Sequence, residues 1–217
     1  MSGRPVSQLE DRTRWADFQP MRIGRRWMVT PSWLDLAVEP PLLPIRLDPG
    51  SVFGRGDHPT TRLCLLALER HLKPGAAVLD LGTGTGILAI AAAKIGSGRV
   101  LAVDTDAEAV RVAQVNAALN GVASIVRMEK GSLAQVRAGQ WDLAQADVVI
   151  ANILAHVIIT FFEQGLAQAI TPKGLLVVSG ILHSQTPEIR ARLQWHGLEL
   201  MAEERLAEWS CMIVRSV

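Results

Sequence analysis

Five short apolar runs recur between residues 77 and 179, and most neighbouring pairs are separated by enough chain for a helix. They are Ala77–Leu81 (AVLDL), Val100–Asp104 (VLAVD), Ile125–Met128, Val148–Asn152 (VVIAN) and Leu175–Ser179 (LLVVS). The apolar residues run continuously and do not alternate, so both faces of each strand must be covered, the pattern of parallel strands between layers of helix. Pro74-Gly75 precedes the first run and glycines follow it, which marks its ends. Helices are expected over Thr60–Leu72, Gly86–Ile95, Ala107–Leu119, Leu154–Ile170 and Pro187–His196. In the third, Val110, Ala113 and Ala117 form an apolar stripe at spacings of three and four. Asp106 is placed to cap that helix and Asn120-Gly121 to close it in the left-handed manner. Leu198–Leu206 and Trp209–Arg215 are parted only by Ala207-Glu208 and read as an antiparallel hairpin. The alternation selects an α/β fold: a Rossmann-like, doubly wound, mostly parallel sheet of seven strands ending in a C-terminal antiparallel hairpin. Such sheets bind ligands at the carboxyl ends of the central strands, where the strand order reverses.

The first 50 residues have another texture. They hold Trp15, Trp27 and Trp33 together with Pro5, Pro20, Pro31, Pro40, Pro41 and Pro44, a lead-in of short extended pieces. The chain is therefore divided into a lead-in, 1–50, and a ligand-binding domain, 51–217. A length of 217 residues fits one domain with an appendage. The formal charge of +1 supplies no bulk field for nucleic acid or an anionic membrane, and Arg22, Arg25, Arg26, Arg190 and Arg192 read as solvated surface. Two cysteines, Cys64 and Cys211, exclude a disulfide framework and a multi-cysteine zinc site, and free thiols fit a reducing cytoplasm. The first fifteen residues lack the apolar core of a signal peptide. Val148–Phe162 is shorter than the ~20 residues a membrane span needs and contains Asn152 and His156. The histidines show no ligand spacing, so no metal is assigned.

The chemistry concentrates in Val78–Gly86 (VLDLGTGTG), a glycine turn between a buried strand and a helix N-terminus. A dinucleotide fingerprint requires Gly or Ala three residues after Gly84, and Ile87 stands there. No Gly-Lys-Ser/Thr follows, which excludes a phosphate loop. Asp104, at the end of the next strand, can accept both ribose hydroxyls of a nucleoside. An acid inside the turn, Asp80, and few nearby cations suit a cofactor without phosphates such as S-adenosylmethionine, whose carboxylate can sit on the helix N-terminus. The bland alternative is a tight strand–helix turn with incidental glycines. Asn152 ends an apolar strand, where its side-chain carbonyl could receive a nucleophilic amine; otherwise it is a turn residue or cap. Phe53–Thr61 (FGRGDHPTT) is a shaped loop ahead of a helix, with Thr60 and Thr61 placed to cap that helix while their hydroxyls face the pocket. His58 reads as a base or, more simply, as structural.

FGRGDHPTT, DLGTGTG, AVDTD, ANIL and LLVVSGIL (Leu175–Leu182) together resemble the ribosomal protein L-eleven methyltransferase family (PrmA type), within the class I S-adenosylmethionine-dependent methyltransferases. The similarity runs from about Trp15 to the C-terminus and includes FQPMRIG (Phe18–Gly24) and Pro31-Ser32-Trp33. The resemblance implies transfer of methyl groups to lysine side chains and N-terminal amines of a ribosomal protein. It also implies that Thr61, Gly82, Asp104 and Asn152 contact the cofactor. With the turn residues Asp80, Gly84 and Gly86 these form the expected cofactor site, and Asn152 is the expected catalytic residue. Arg55 and Asp57 replace the threonines usual in the family's loop and are expected to set opposite charges over the pocket mouth. Family members carry a separate N-terminal recognition domain, and this chain is expected to begin at the linker after it. A cytoplasmic monomer is expected, with a protein substrate and no nucleic acid or membrane partner. A methyltransferase for another protein or a small amine shares every motif. A nicotinamide-dependent oxidoreductase is disfavoured by Ile87, and a non-catalytic cofactor-binding module by Asn152.

Overall fold

The computed structural model describes residues 17–48 and 50–216; Trp15, Pro5 and Pro49 lie outside them. A small sheet comes first, made of β1 (Met21–Ile23), β2 (Trp27–Pro31) and β3 (Leu43–Leu47). β1 and β2 are antiparallel, and β3 runs parallel to β2. These are the extended pieces of the lead-in, and their side chains are not a separate core. Trp27, Val29, Ile45 and Leu47 are fully buried in one cluster with Leu65 and Leu68 of α1 (Pro59–His71) and Ile90 of α2 (Ile87–Ile95). The Trp27 indole N–H donates to the Leu65 carbonyl at 3.0 Å.

The large sheet contains β4 (Ala77–Leu81), β5 (Arg99–Asp104), β6 (Val126–Lys130), β7 (Ala146–Asn152), β8 (Ile170–Leu182), β9 (Leu198–Leu206) and β10 (Trp209–Ser216). Its order is β6-β5-β4-β7-β8-β10-β9. β4 pairs in parallel with both β5 and β7, so successive crossovers go first to one side of β4 and then to the other. That reversal opens a crevice at the carboxyl ends of β4 and β7. β10 is antiparallel to β8 and to β9, which gives the expected hairpin. Val78, Leu79, Val149 and Ile150 are 0% exposed, as continuous apolar strands between helix layers require.

Helix ends follow local chemistry. α3 (Ala107–Leu119) starts where Asp106 accepts the Glu108 N–H at 2.9 Å and stops at Gly121, whose φ is +69°. Two turns of α3 also bind the lead-in. Asn116 and Asn120, one turn apart, each accept a backbone N–H and donate to a carbonyl of residues 46 and 48 at 2.6–3.0 Å, mimicking a missing strand.

Three expectations change. The helix expected over Leu154–Ile170 is only α5 (Ala155–Glu163). Gly165, at φ +94°, ends it, and Ile170 already begins β8. The apolar pattern runs on because Leu166, Ala169 and Ile170 are also buried, in a different geometry. His58, not a threonine, caps α1: the Thr60 N–H donates to its Nδ1. A one-turn helix, α4 (Leu133–Arg137), has no counterpart in the sequence reading; α6 (Thr186–Trp195) does. Among the described residues no helix is long and apolar enough to cross a membrane.

Candidate active site

The crevice at the carboxyl ends of β4 and β7 is a cleft of about 700 Å³. Its floor is the glycine turn. The Gly82 and Thr83 N–H groups both donate to the Val103 carbonyl, at 2.9 and 3.1 Å, which bends the chain out of β4. Gly84 has φ +55°, and a Cβ there would stand 2.5 Å from the Phe53 carbonyl oxygen. The 53–58 loop is the reason for that crowding. Phe53 O accepts the Thr85 N–H at 3.0 Å and Gly54 O accepts the Thr85 hydroxyl at 2.6 Å, which lays the loop over the turn.

Asp104 is held from below. One carboxylate oxygen accepts the Gly84 N–H and the other the Asp106 N–H, each at 3.0 Å. A carboxylate has about four lone-pair sites, so each oxygen keeps capacity for one further donor. The group is thereby pointed at the cleft, which it lines.

Asn152 ends β7. Its Nδ2 donates to the Thr61 hydroxyl at 3.4 Å, while its buried Oδ1 has no partner. A buried acceptor without a donor costs about 1–3 kcal/mol, and this one borders the cleft, so a ligand donor would satisfy it.

Of the expected site residues, Gly82, Gly84, Asp104 and Asn152 line the cleft. Thr61, Asp80 and Gly86 stand one layer behind. Thr61 is 0% exposed and orients Asn152, while its neighbour Thr60 takes the lining position. Asp80 is buried beneath the turn and accepts the Thr83 hydroxyl at 2.7 Å. Burial pushes its carboxyl up to about 7, and the Asp104 charge adds to the rise against the opposing hydrogen bonds from Thr83 and the Ala89 backbone. Gly86 meets Met128 and Ala113 at 2.9 and 3.1 Å from a built Cβ, so its role is to let α2 approach α3. Arg55 and Asp57 pair with each other, Arg55 lies 5.9 Å over the Phe18 ring, and neither lines the cleft. The expected opposite charges over the mouth are thus spent on loop shape.

Part of the lining was not foreseen. Trp209 of β10, Leu154, Val157 and Phe161 line the cleft, along with Phe53 and His58 of the expected loop. Trp209 is far in sequence from every other site residue, and only the insertion of β10 beside β8 brings it here.

The donor set tests which cofactor fits. Among the described residues lining the cleft there is no Lys or Arg to neutralise phosphates, while Asp104 suits a diol and the apolar strand ends suit a purine. A phosphate-free nucleoside with positive charge fits. Fold and site together define a class I S-adenosylmethionine-dependent methyltransferase.

The narrower kinship comes from the sequence over its length. The chain belongs to the ribosomal protein L11 methyltransferase (PrmA) family, whose model matches residues 6–216. A ribosomal protein L11 methyltransferase of Pelotomaculum thermopropionicum is 42% identical over 216 residues, 99% of this chain and 68% of that protein. One of Chloroflexus aurantiacus is 40% identical over 98% of this chain and 73% of its own. The crystal structure of a ribosomal protein L11 methylase from Lactobacillus delbrueckii subsp. bulgaricus superposes with a TM-score of 0.82 at 33% identity, covering 92% of this chain and all of that one.

Proposed function

We propose that the enzyme methylates amino nitrogens of a ribosomal protein, the L11 protein acted on by its named relatives, with residues 51–217 as the catalytic domain. The observation that carries the amine reading is the orphaned Asn152 Oδ1 at the cleft. It accepts one N–H of the incoming amine and so aims the nitrogen lone pair. S-adenosylmethionine, when bound, supplies a sulfonium methyl: the N–C bond forms as the C–S bond breaks, and the electron pair stays on sulfur.

The chain's own residues bind and orient. Asp104 receives the ribose diol, Gly82 and Gly84 allow close approach to the backbone, and Thr61 fixes the Asn152 rotamer through the 3.4 Å contact. Asp80 braces the turn through Thr83. A lysine amine, with a reference pKa near ~10.4, must shed a proton to water before it attacks. The apolar lip of Leu154, Val157 and Phe161 disfavours the charged form and so lowers that pKa. With the amine already neutral no dedicated base is needed, and positioning of oriented reactants can contribute about 7–11 kcal/mol to the transfer itself. This reading places the enzyme in the cytoplasm, where its two buried free thiols stay reduced.

The test is incubation of the chain with methyl-labelled cofactor and purified L11 beside a mixture of other ribosomal proteins, read by mass spectrometry. Label on amino nitrogens of L11 is expected. Label confined to other proteins, or on carbon or oxygen, would refute the substrate reading.

A further inference from the structure

Three rings form one wall of the cleft, two from the 53–58 loop that lies over the glycine turn and one from β10. The Phe53 and His58 rings lie edge-on with centroids 5.2 Å apart, and His58 and Trp209 do the same at 5.1 Å. All three line the cleft. Resting on the amine-methylation reading above, we propose that Phe53, His58 and Trp209 form the seat against which the acceptor nitrogen, bound neutral, develops its positive charge as it is methylated.

Strand order supports that position. Asp104 stands on β5, on one side of β4, and Trp209 stands on β10, on the other. Asn152 lies between them on β7, paired with Ser179 of β8, while Trp209 pairs with Leu182 of β8. With strands about 4.8 Å apart, the wall begins two strands beyond Asn152, the reach of an alkyl amine placed against it. A bulge in the β8–β10 ladder falls here, with Ser210 opposite Ile181 and Cys211 opposite Ser179. Gly180 is the extra residue, at φ +83°, and such an insertion re-aims the neighbouring side chains. His183 then clamps the turn, its backbone N–H donating to Glu208 O at 3.0 Å and its ring to Ala207 O at 2.8 Å. Trp209 is therefore presented by a held turn, not by a loose tip.

The electrostatics select a cation. Asp104 and Asp106 are the carboxylates lining the cleft, and no Lys or Arg among the described residues lines it. His58 Nδ1 is engaged with the Thr60 N–H and hydroxyl at the start of α1, which fixes the ring against the helix end. Aromatic faces attract an alkylammonium, and the nitrogen becomes positive as it takes the methyl group. The wall thus favours the transition state and the methylated product over the bare neutral amine.

Binding, not turnover, tests this. The probes are N-acetyl-Nε-trimethyllysine amide and its uncharged isostere with carbon in place of the quaternary nitrogen, titrated by calorimetry into the chain saturated with S-adenosylhomocysteine. The charged probe is expected to bind about tenfold tighter. Trp209→Leu should shrink that preference to about twofold and Trp209→Phe should keep most of it. Phe53 is 54% exposed, so Phe53→Leu folds with little cost and should lower the preference even if Trp209→Leu does not fold. Equal affinity for the two probes, no binding of either, or a preference untouched by Phe53→Leu would overturn the seat. Failure of S-adenosylhomocysteine to bind would bring down the cofactor reading as well, whereas normal binding with no charge preference removes the seat alone.

Discussion

Asp104 offers the sharpest test of the cofactor site because its geometry is set before any ligand arrives. Each oxygen already accepts one backbone N–H at 3.0 Å, from Gly84 and from Asp106. In Asp104→Asn one of these N–H groups must face an amide NH2, and only one oxygen remains for a diol. Hydrogen bonds to a charged acceptor contribute about 1.5–3 kcal/mol each. Losing one and weakening the other should cost about 3 kcal/mol, or on the order of 100-fold in the dissociation constant of S-adenosylhomocysteine. Calorimetry with 2′-deoxy and 3′-deoxy analogues completes a double-mutant cycle. Removing either hydroxyl should weaken binding about tenfold in the native enzyme, whereas in the variant the hydroxyl that faced the lost oxygen should hardly matter. A variant with native-like melting and less than a threefold loss, or analogues losing affinity equally in both proteins, would refute the diol assignment.

Asn152→Ala should lower kcat by about 100-fold while changing cofactor affinity less than fivefold, because the orphaned Oδ1 is reserved for the acceptor; calorimetry and steady-state rates separate the two. Asp80 has a folded pKa of about 7 against a usual 3.8, so ionising it costs the native state stability that is present at low pH and lost as pH rises toward 7. Asp80→Asn removes that penalty. Its advantage over the native chain should therefore widen from pH 4 to 7 toward about 4 kcal/mol and level off above, and a pH-independent difference in urea titrations would contradict it. Gly84→Ala places a Cβ 2.5 Å from Phe53 O at φ +55°, so it should lower stability by about 2 kcal/mol and detach the 53–58 loop, seen as faster proteolysis there.

Much of the fold was legible because its signals are local. β4 and α3 coincide with their expected bounds, since a continuous apolar run and a capped amphipathic stripe each record burial within a few residues. The helix after Asn152 was overextended because apolar spacing records burial and not φ, and Gly165 carries the turn. The lead-in read only as short extended pieces. Its pairing into a sheet depends on Asn116 and Asn120, about 70 residues away, whose amides complete the edge of β3.

The same division holds at the site. Gly82, Gly84, Asp104 and Asn152 could be found from sequence because Asp104 and Asn152 end strands and the two glycines form the turn just after β4, and strand ends in a doubly wound sheet converge by topology. Thr61, Asp80 and Gly86 lie in the same motifs, yet their distances from the cleft depend on a helix entry angle and on packing against Met128 and Ala113. Motif membership does not encode those distances. The aromatic wall is completed only by tertiary contact. Phe53 and His58 share the Phe53–Thr61 loop, but no local pattern connects that loop to Trp209 on the final strand. Sequence alone determined the strand–helix order and the turn that meets a nucleoside, because those are written in neighbouring residues. The shape of the acceptor's side was decided only when β10 entered between β8 and β9, a pairing of residues far apart in the chain.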